Sequence, residues 1–155
     1  MIPVLFQKHL VEEELPDLFK DVTLINSKKE ASKLNFHKQY LPQKNRNKED
    51  FPYINVILLN GERQDEQSGN MAHVLFMAGV YDENENNQGY QDSFILINKL
   101  YQHINSKRII KNKYVLEFPV KWMTNDDVTY PYFYTALETY WSIAKQEQSH
   151  ENLYL

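Results

Sequence analysis

The chain has no cysteine, which excludes disulfides, thiolate nucleophiles and cysteine-ligated zinc and fits a reducing compartment. Glycine is scarce as well. Gly61, Gly69, Gly79 and Gly89 are the only four in 155 residues, and their spacing forms no phosphate-cradling loop. No apolar run approaches the ~20 residues of a membrane span. Ile2 to Phe6 is followed by Lys8, His9 and Glu12–Glu14, which is not the basic-then-apolar order of a signal peptide. A soluble protein made in the cytoplasm, with no membrane partner, is the expectation. Positive charge is not in excess: 17 basic against 21 acidic residues give −4. No global attraction to nucleic acid follows, and no nucleic-acid specificity is expected. The one basic cluster, Lys28-Lys29 with Lys44, Arg46 and Lys48, reads as a solvated loop.

Catalytic patterns are missing in the same way. His9, His37, His73, His103 and His150 are scattered, with no i, i+4 pair to hold a metal on one helix. His103 reads as a surface or capping residue. The acidic runs Glu12–Glu14, Asp82–Glu85 and Asp126-Asp127 lack the alternating oxygens and glycine of a calcium loop, and read as solvated faces. No serine sits in a Gly-x-Ser-x-Gly elbow. Glu117 and Lys121 share the polar face of a strand as a solubility pattern. No cofactor or metal is expected, and no enzyme, although an unsuspected carboxylate pair leaves a small metal-dependent hydrolase or nuclease open.

What the chain does have is size and aromatic content. At 155 residues with 42% hydrophobic and 14% aromatic residues it can bury one core. Ile2, Phe6 and Leu10 mark one face of a helix over Met1–Leu15, with Pro3 in the first turn and Pro16 ending or kinking it. A short strand is expected at Val22–Ile25, and Gln43–Asp50 has loop composition. From Tyr53 a strand places Ile54, Val56 and Leu58 on one face and Ile57 and Leu59 on the other, covered on both sides. Asn60-Gly61 signals a turn, with a long polar tip to Asn70. The next strand, His73–Tyr81, pairs antiparallel and puts Val74, Phe76, Ala78 and Val80 on one face.

A helix starts near Gly89, with Asp92 in its first turn, a buried stripe of Phe94, Ile97, Tyr101 and Ile104, and Lys107 and Arg108 at its end. In the third strand Tyr114, Leu116, Phe118, Val120 and Trp122 point one way, and Pro119 demands an edge or a bulge. The last, Tyr132 to about Ile143, points Phe133, Leu137, Trp141 and Ile143 inward and Tyr132, Tyr134 and Tyr140 outward. The expected core is Ile54, Val56, Val74, Phe76, Phe94, Ile97, Tyr101, Leu116, Phe118, Leu137 and Trp141. The result is an α+β fold of order α-β-β-α-β-β, a small sandwich of a mostly antiparallel sheet with helices packed on one face. Residues 1–144 form one domain, and 145–155 a flexible tail.

Six landmarks recur in a telling order: Phe51-Pro52-Tyr53-Ile54-Asn55-Val56, Val80-Tyr81-Asp82, Gly89-Tyr90-Gln91-Asp92 followed by Arg108-Ile109-Ile110, the strand Tyr114 to Trp122 with Phe118-Pro119, Tyr130-Pro131-Tyr132-Phe133, and Glu138-Thr139-Tyr140-Trp141. This segment, about three-fifths of the chain, resembles the tail terminator (tail completion) family of long-tailed phages and their prophages. The resemblance implies an α+β fold that assembles as a homo-oligomeric, hexameric ring capping the tail tube. It also implies the tail tube and head-completion proteins as partners and the virion tail as location. The competing reading is a monomeric adaptor or regulatory protein-binding module built on the same aromatic sheet.

The candidate interface residues are Tyr132, Tyr134 and Tyr140, because tyrosine joins large apolar area to a polar tip. Two polar loops add acidic Glu62, Asp65 and Glu66 and basic Lys44, Arg46 and Lys48. Head-to-tail neighbours would attract through them at ~1 kcal/mol or less per exposed pair. Both loops, Gly61–Asn70 and Gln43–Asp50, are expected to be mobile until assembly, being too polar to offset the entropy of ordering.

Overall fold

The computed structural model describes residues 2–25, 29–40, 51–63, 65–66, 69–84, 86, 88–125 and 129–143. The chain is α+β, dominated by a curled sheet. It opens with helix α1 (Ile2–His9), a π-helical turn (Leu10–Glu14) and helix α2 (Leu15–Leu18). Pro16 therefore does not end the helix. It has no N–H to donate, and the turn before it widens so that Leu15 N–H donates five residues back, to Leu10.

A small hairpin follows, β1 (Thr23–Ile25) and β2 (Ala31–Lys33), then β3 (Asn35–Lys38), β4 (Tyr53–Glu62) and β5 (Asn70–Tyr81). Helix α3 (Gln88–Lys107), β6 (Ile109–Ile110), β7 (Tyr114–Thr124) and β8 (Tyr132–Ile143) follow. The short strand expected at Val22–Ile25 is present as β1, and the expected order gains β2, β3 and β6. The main sheet runs β3-β4-β5-β8-β7-β6, with β3 parallel to β4 and every other pair antiparallel.

Register decides the two faces. Val56, Phe76 and Leu137 lie side by side, as do Ala72, Trp141 and Leu116. Both helices cover this face: Ser93 Oγ of α3 meets Thr135 Oγ1 at 2.7 Å, and Phe6 of α1 packs edge-on against Trp141 at 4.9 Å. Phe6, Leu10, Ile54, Val56, Val74, Phe76, Leu96, Leu100, Leu116 and Trp141 form one buried cluster. Gly89 admits α3 to this face, since a Cβ there would lie 2.3 Å from the Phe133 ring.

Three expectations about the core change. The buried side of α3 runs through Ser93, Leu96, Ile97, Leu100 and Ile104, which leaves Phe94 and Tyr101 at its half-buried margin. Asp92 lies beyond the first turn and accepts from Gln88. Phe118 is 62% exposed and Trp122 64%. For Phe118 the cause is local: between Glu117↔Tyr140 and Lys121↔Glu138, three residues of β7 face one of β8, whereas Trp122 stays on the helix side, opposite Leu137. Pro119, unable to donate to a ladder, sits in this bulge.

Asn60-Gly61 is not a turn. β4 continues to Glu62, and a bulge at Leu59 shifts the register so that Asn60 and Glu62 oppose His73 and Met71. The extra residue turns Asn60 and Glu62 away from the core, which a regular strand would have faced with Asn60. Of the expected Gly61–Asn70 tip, Gly61, Glu62 and Asn70 belong to strands. Gln43–Asp50 and the 145–155 tail lie outside the described residues.

Candidate protein interface

The face of the sheet opposite the helices is built from the other residues of the same alternation. Tyr53, Gly79 and Tyr134 stand in one row across β4, β5 and β8, with Tyr81 opposite Tyr132 and His73 opposite Tyr140. The three expected tyrosines therefore lie on one face. They do not form one patch, because the six residue steps of extended β8 from Tyr134 to Tyr140 span roughly 20 Å.

At one end Tyr132 and Tyr134 close an aromatic cluster with Phe51, Tyr53 and Tyr81. Phe51 is its centre, with ring centroids 4.9 Å from Tyr53, 5.0 Å from Tyr132 and 6.1 Å from Tyr134. Gly79 is the floor of this cluster, since a Cβ there would stand 2.5 Å from the Tyr53 ring. The Tyr81 hydroxyl donates to the Glu83 carboxylate, and that bond, with burial, pushes its pKa up to about 12. Burial raises Tyr134, helped by neighbouring Tyr132. These phenols stay protonated, the Tyr81 O–H held by Glu83.

At the other end Tyr140 stacks on His73 with ring centroids 4.4 Å apart. Both reach the same carboxylate oxygen: His73 Nε2 and the Tyr140 hydroxyl are each 2.9 Å from Glu138 Oε1. The hydrogen bond to Glu138, then burial, raises the Tyr140 pKa. Asn60 Nδ2 lies 3.4 Å from His73 Nδ1, and Glu62 projects from the same face beyond them. Asp65 and Glu66 sit at the hairpin tip, where their backbone carbonyls accept from Arg63 Nε at 3.0 Å and Arg63 Nη2 at 2.6 Å. Lys44, Arg46 and Lys48 fall outside the described residues.

The Glu12–Glu14 run is not simply a solvated face. Glu12 pairs with Lys38 of β3 at 3.3 Å, and Glu13 with His9 at 2.7 Å and Lys111 at 3.6 Å. Glu14, whose side chain is 13% exposed, receives His103 at 2.8 Å and His9 and Lys107 at 3.2 Å. His103 thus ties α3 to the π-helical turn. Sequence alone offered no sign of this joint, because residues 9, 14, 103 and 107 meet only when α1 packs beside the end of α3.

Asp82 and Glu83, with Asp92 and Lys29, line a polar cleft between the β1 hairpin and the start of α3. Lys29 reaches Glu83 at 3.4 Å. Among the described residues no group of three or more histidine, aspartate or glutamate side chains could hold a metal ion. No helix among them is long and apolar enough to cross a membrane. Comparison with known proteins returns no matching family model and no curated protein of significant similarity.

Proposed function

We propose that this chain is a structural virion protein of the tail terminator type, made in the host cytoplasm and assembling as a ring that caps the tail tube and joins tail to head. The observation that carries the reading is the sheet face opposite the helices, where Tyr132 and Tyr134 close an aromatic cluster with Phe51, Tyr53 and Tyr81. Half-buried tyrosines with apolar faces and polar tips suit a contact that excludes water at its centre and stays polar at its rim. The landmark order seen in the sequence, and an α+β fold, agree with that family. In this reading the face meets a neighbouring subunit, and the acidic hairpin tip of Asp65 and Glu66 projects toward the next component of the tail.

The competing reading, a monomeric adaptor or regulatory protein-binding module, would use the same aromatic sheet. Light scattering coupled to size exclusion separates the two. A ring former elutes as one oligomer whose mass holds across a hundredfold dilution, with annular particles in negative stain. A monomeric mass at every concentration defeats the ring reading.

A further inference from the structure

Among the described residues, β7 has a strand partner on its outer side only at Tyr114 and Val115, opposite β6. Beyond that point Arg108 stands against the strand: its backbone carbonyl accepts from Leu116 N–H at 2.8 Å, its Nη2 donates to Leu116 O at 3.2 Å, and its guanidinium lies over Phe118 at 4.6 Å. From Val120 to Thr124 no strand among the described residues pairs with this edge. The direction of its backbone groups follows from register. Leu116 points its N–H and C=O outward and pairs with Trp141. Leu137 and Thr135 have the same parity as Trp141 on β8, so their partners Trp122 and Thr124 also point outward.

Side chains add a second requirement. On the helix side a groove of about 340 Å³ opens between α3 and this edge, lined by Phe94, Ile97, Tyr101, Val120, Trp122 and Leu137. Trp122 forms its lip, edge-on to Phe94 at 5.2 Å. On the other side Lys121 is exposed and makes no ion pair among the described residues. Its cross-strand neighbour Glu138 is turned to His73 and Tyr140. Arg108 likewise has no carboxylate within reach among the described residues. The edge is therefore backbone-hungry, apolar on one face and cationic on the other.

We propose that the Val120–Thr124 edge is a docking site for an extended segment of another protein that adds as a further strand. Such a segment places a large apolar side chain in the groove beneath Trp122 and an acidic one against Lys121. Strand addition uses main-chain bonds for affinity and alternate side-chain pockets for specificity. The charge argument also disfavours a second copy joining through the opposite edge of its sheet. That edge, β3, reads Asn35-Phe36-His37-Lys38 and offers no carboxylate to Lys121, its Lys38 being already paired with Glu12. The inference is independent of the ring reading.

Trp122 supplies the assay, because the other tryptophan, Trp141, is fully buried. The probe is a capped octapeptide alternating glutamate with phenylalanine or valine, and the control replaces glutamate by lysine. The acidic peptide should shift Trp122 emission to the blue, saturably and less so in high salt. Lys121→Glu should weaken it about tenfold and favour the lysine peptide. Thr124→Pro removes an outward N–H and should abolish binding. Lys121→Glu, which disturbs no packed group, keeps the test decisive where Thr124→Pro fails to fold. No shift at millimolar acidic peptide, or equal response to both peptides, overturns the proposal. A shift produced by raising protein concentration alone also overturns it, giving the edge to a second copy. Oligomer mass, measured separately, is untouched by whether the peptides bind.

Discussion

Gly79 sits where a side chain is excluded by a neighbour that cannot easily leave. The Tyr53 ring lies across it and is itself 4% exposed, so the ring has little room to swing aside. Gly79→Ala should therefore cost about 1–3 kcal/mol through overpacking, read as a lower urea midpoint with an unchanged slope. A loss under about 0.5 kcal/mol would show that the aromatic cluster is soft. Two phenylalanines give the opposite contrast. Phe6 is fully buried, stacked on Tyr114 at 4.2 Å, and Phe6→Ala should cost about 3–5 kcal/mol. Phe118 belongs to a strand whose alternation pointed it inward, yet it covers only its own edge under Arg108. Phe118→Ala should cost less than about 1 kcal/mol, and a core-sized loss would contradict the bulge that turns it out. Phe94, half-buried at the groove, belongs between these two.

At the scale of elements, the helical N-terminus is held by ions as well as by Phe6 and Leu10. Burial alone would raise the Glu14 pKa, but hydrogen bonds from His103, His9 and Lys107 more than offset it, so the carboxyl titrates below its ordinary 4.5. A carboxyl more acidic when folded stabilises the fold fully above the unfolded value, and that contribution disappears as pH falls through the lowered folded value. Glu14→Gln should therefore lower the melting temperature by about 2–4 °C at neutral pH, as loss of about 1 kcal/mol does in a chain of this size. The gap to the unmodified chain should close as pH falls through the lowered folded value. A gap that stays constant across that range would mean the glutamate acts by packing alone. The π-helical turn is part of the same joint, because it carries Glu12, Glu13 and Glu14 toward cations on β3, the β6–β7 turn and α3.

For the whole molecule, the two ends of the sheet face opposite the helices make different demands. Tyr134→Ser opens the Phe51 cluster, whereas Tyr140→Ser removes a ring stacked on His73 and a donor to Glu138. If the aromatic end meets a neighbouring subunit, Tyr134→Ser should lower oligomer mass by more than its effect on unfolding accounts for. Tyr140→Ser should leave the mass intact. Equal loss of mass from both, or from neither, would take the contact off this end of the sheet. Both measurements are needed, because Tyr134 already packs within its own subunit and a stability loss alone would mimic a broken contact.

The sequence by itself determined the α+β class, the four long strands, helix α3 and the inward and outward sides of β5 and β8. Those follow from period-two and period-3.6 alternation, which each residue carries locally. It also placed Tyr132, Tyr134 and Tyr140 on one face, though not how far apart they stand. Only the tertiary structure decided the rest. Ala31–Lys33 and Asn35–Lys38 are too polar to read as strands and become so by pairing with Thr23–Ile25 and Tyr53–Val56. The bulges at Leu59 and at Phe118–Val120 are settled by which register keeps Asn60 out of the core and tolerates Pro119. The charged joint at Glu14, like the open edge at Trp122, comes from residues far apart in sequence. Which groups find partners there, and which are left exposed, depends on how the whole sheet pairs, and no local pattern encodes that.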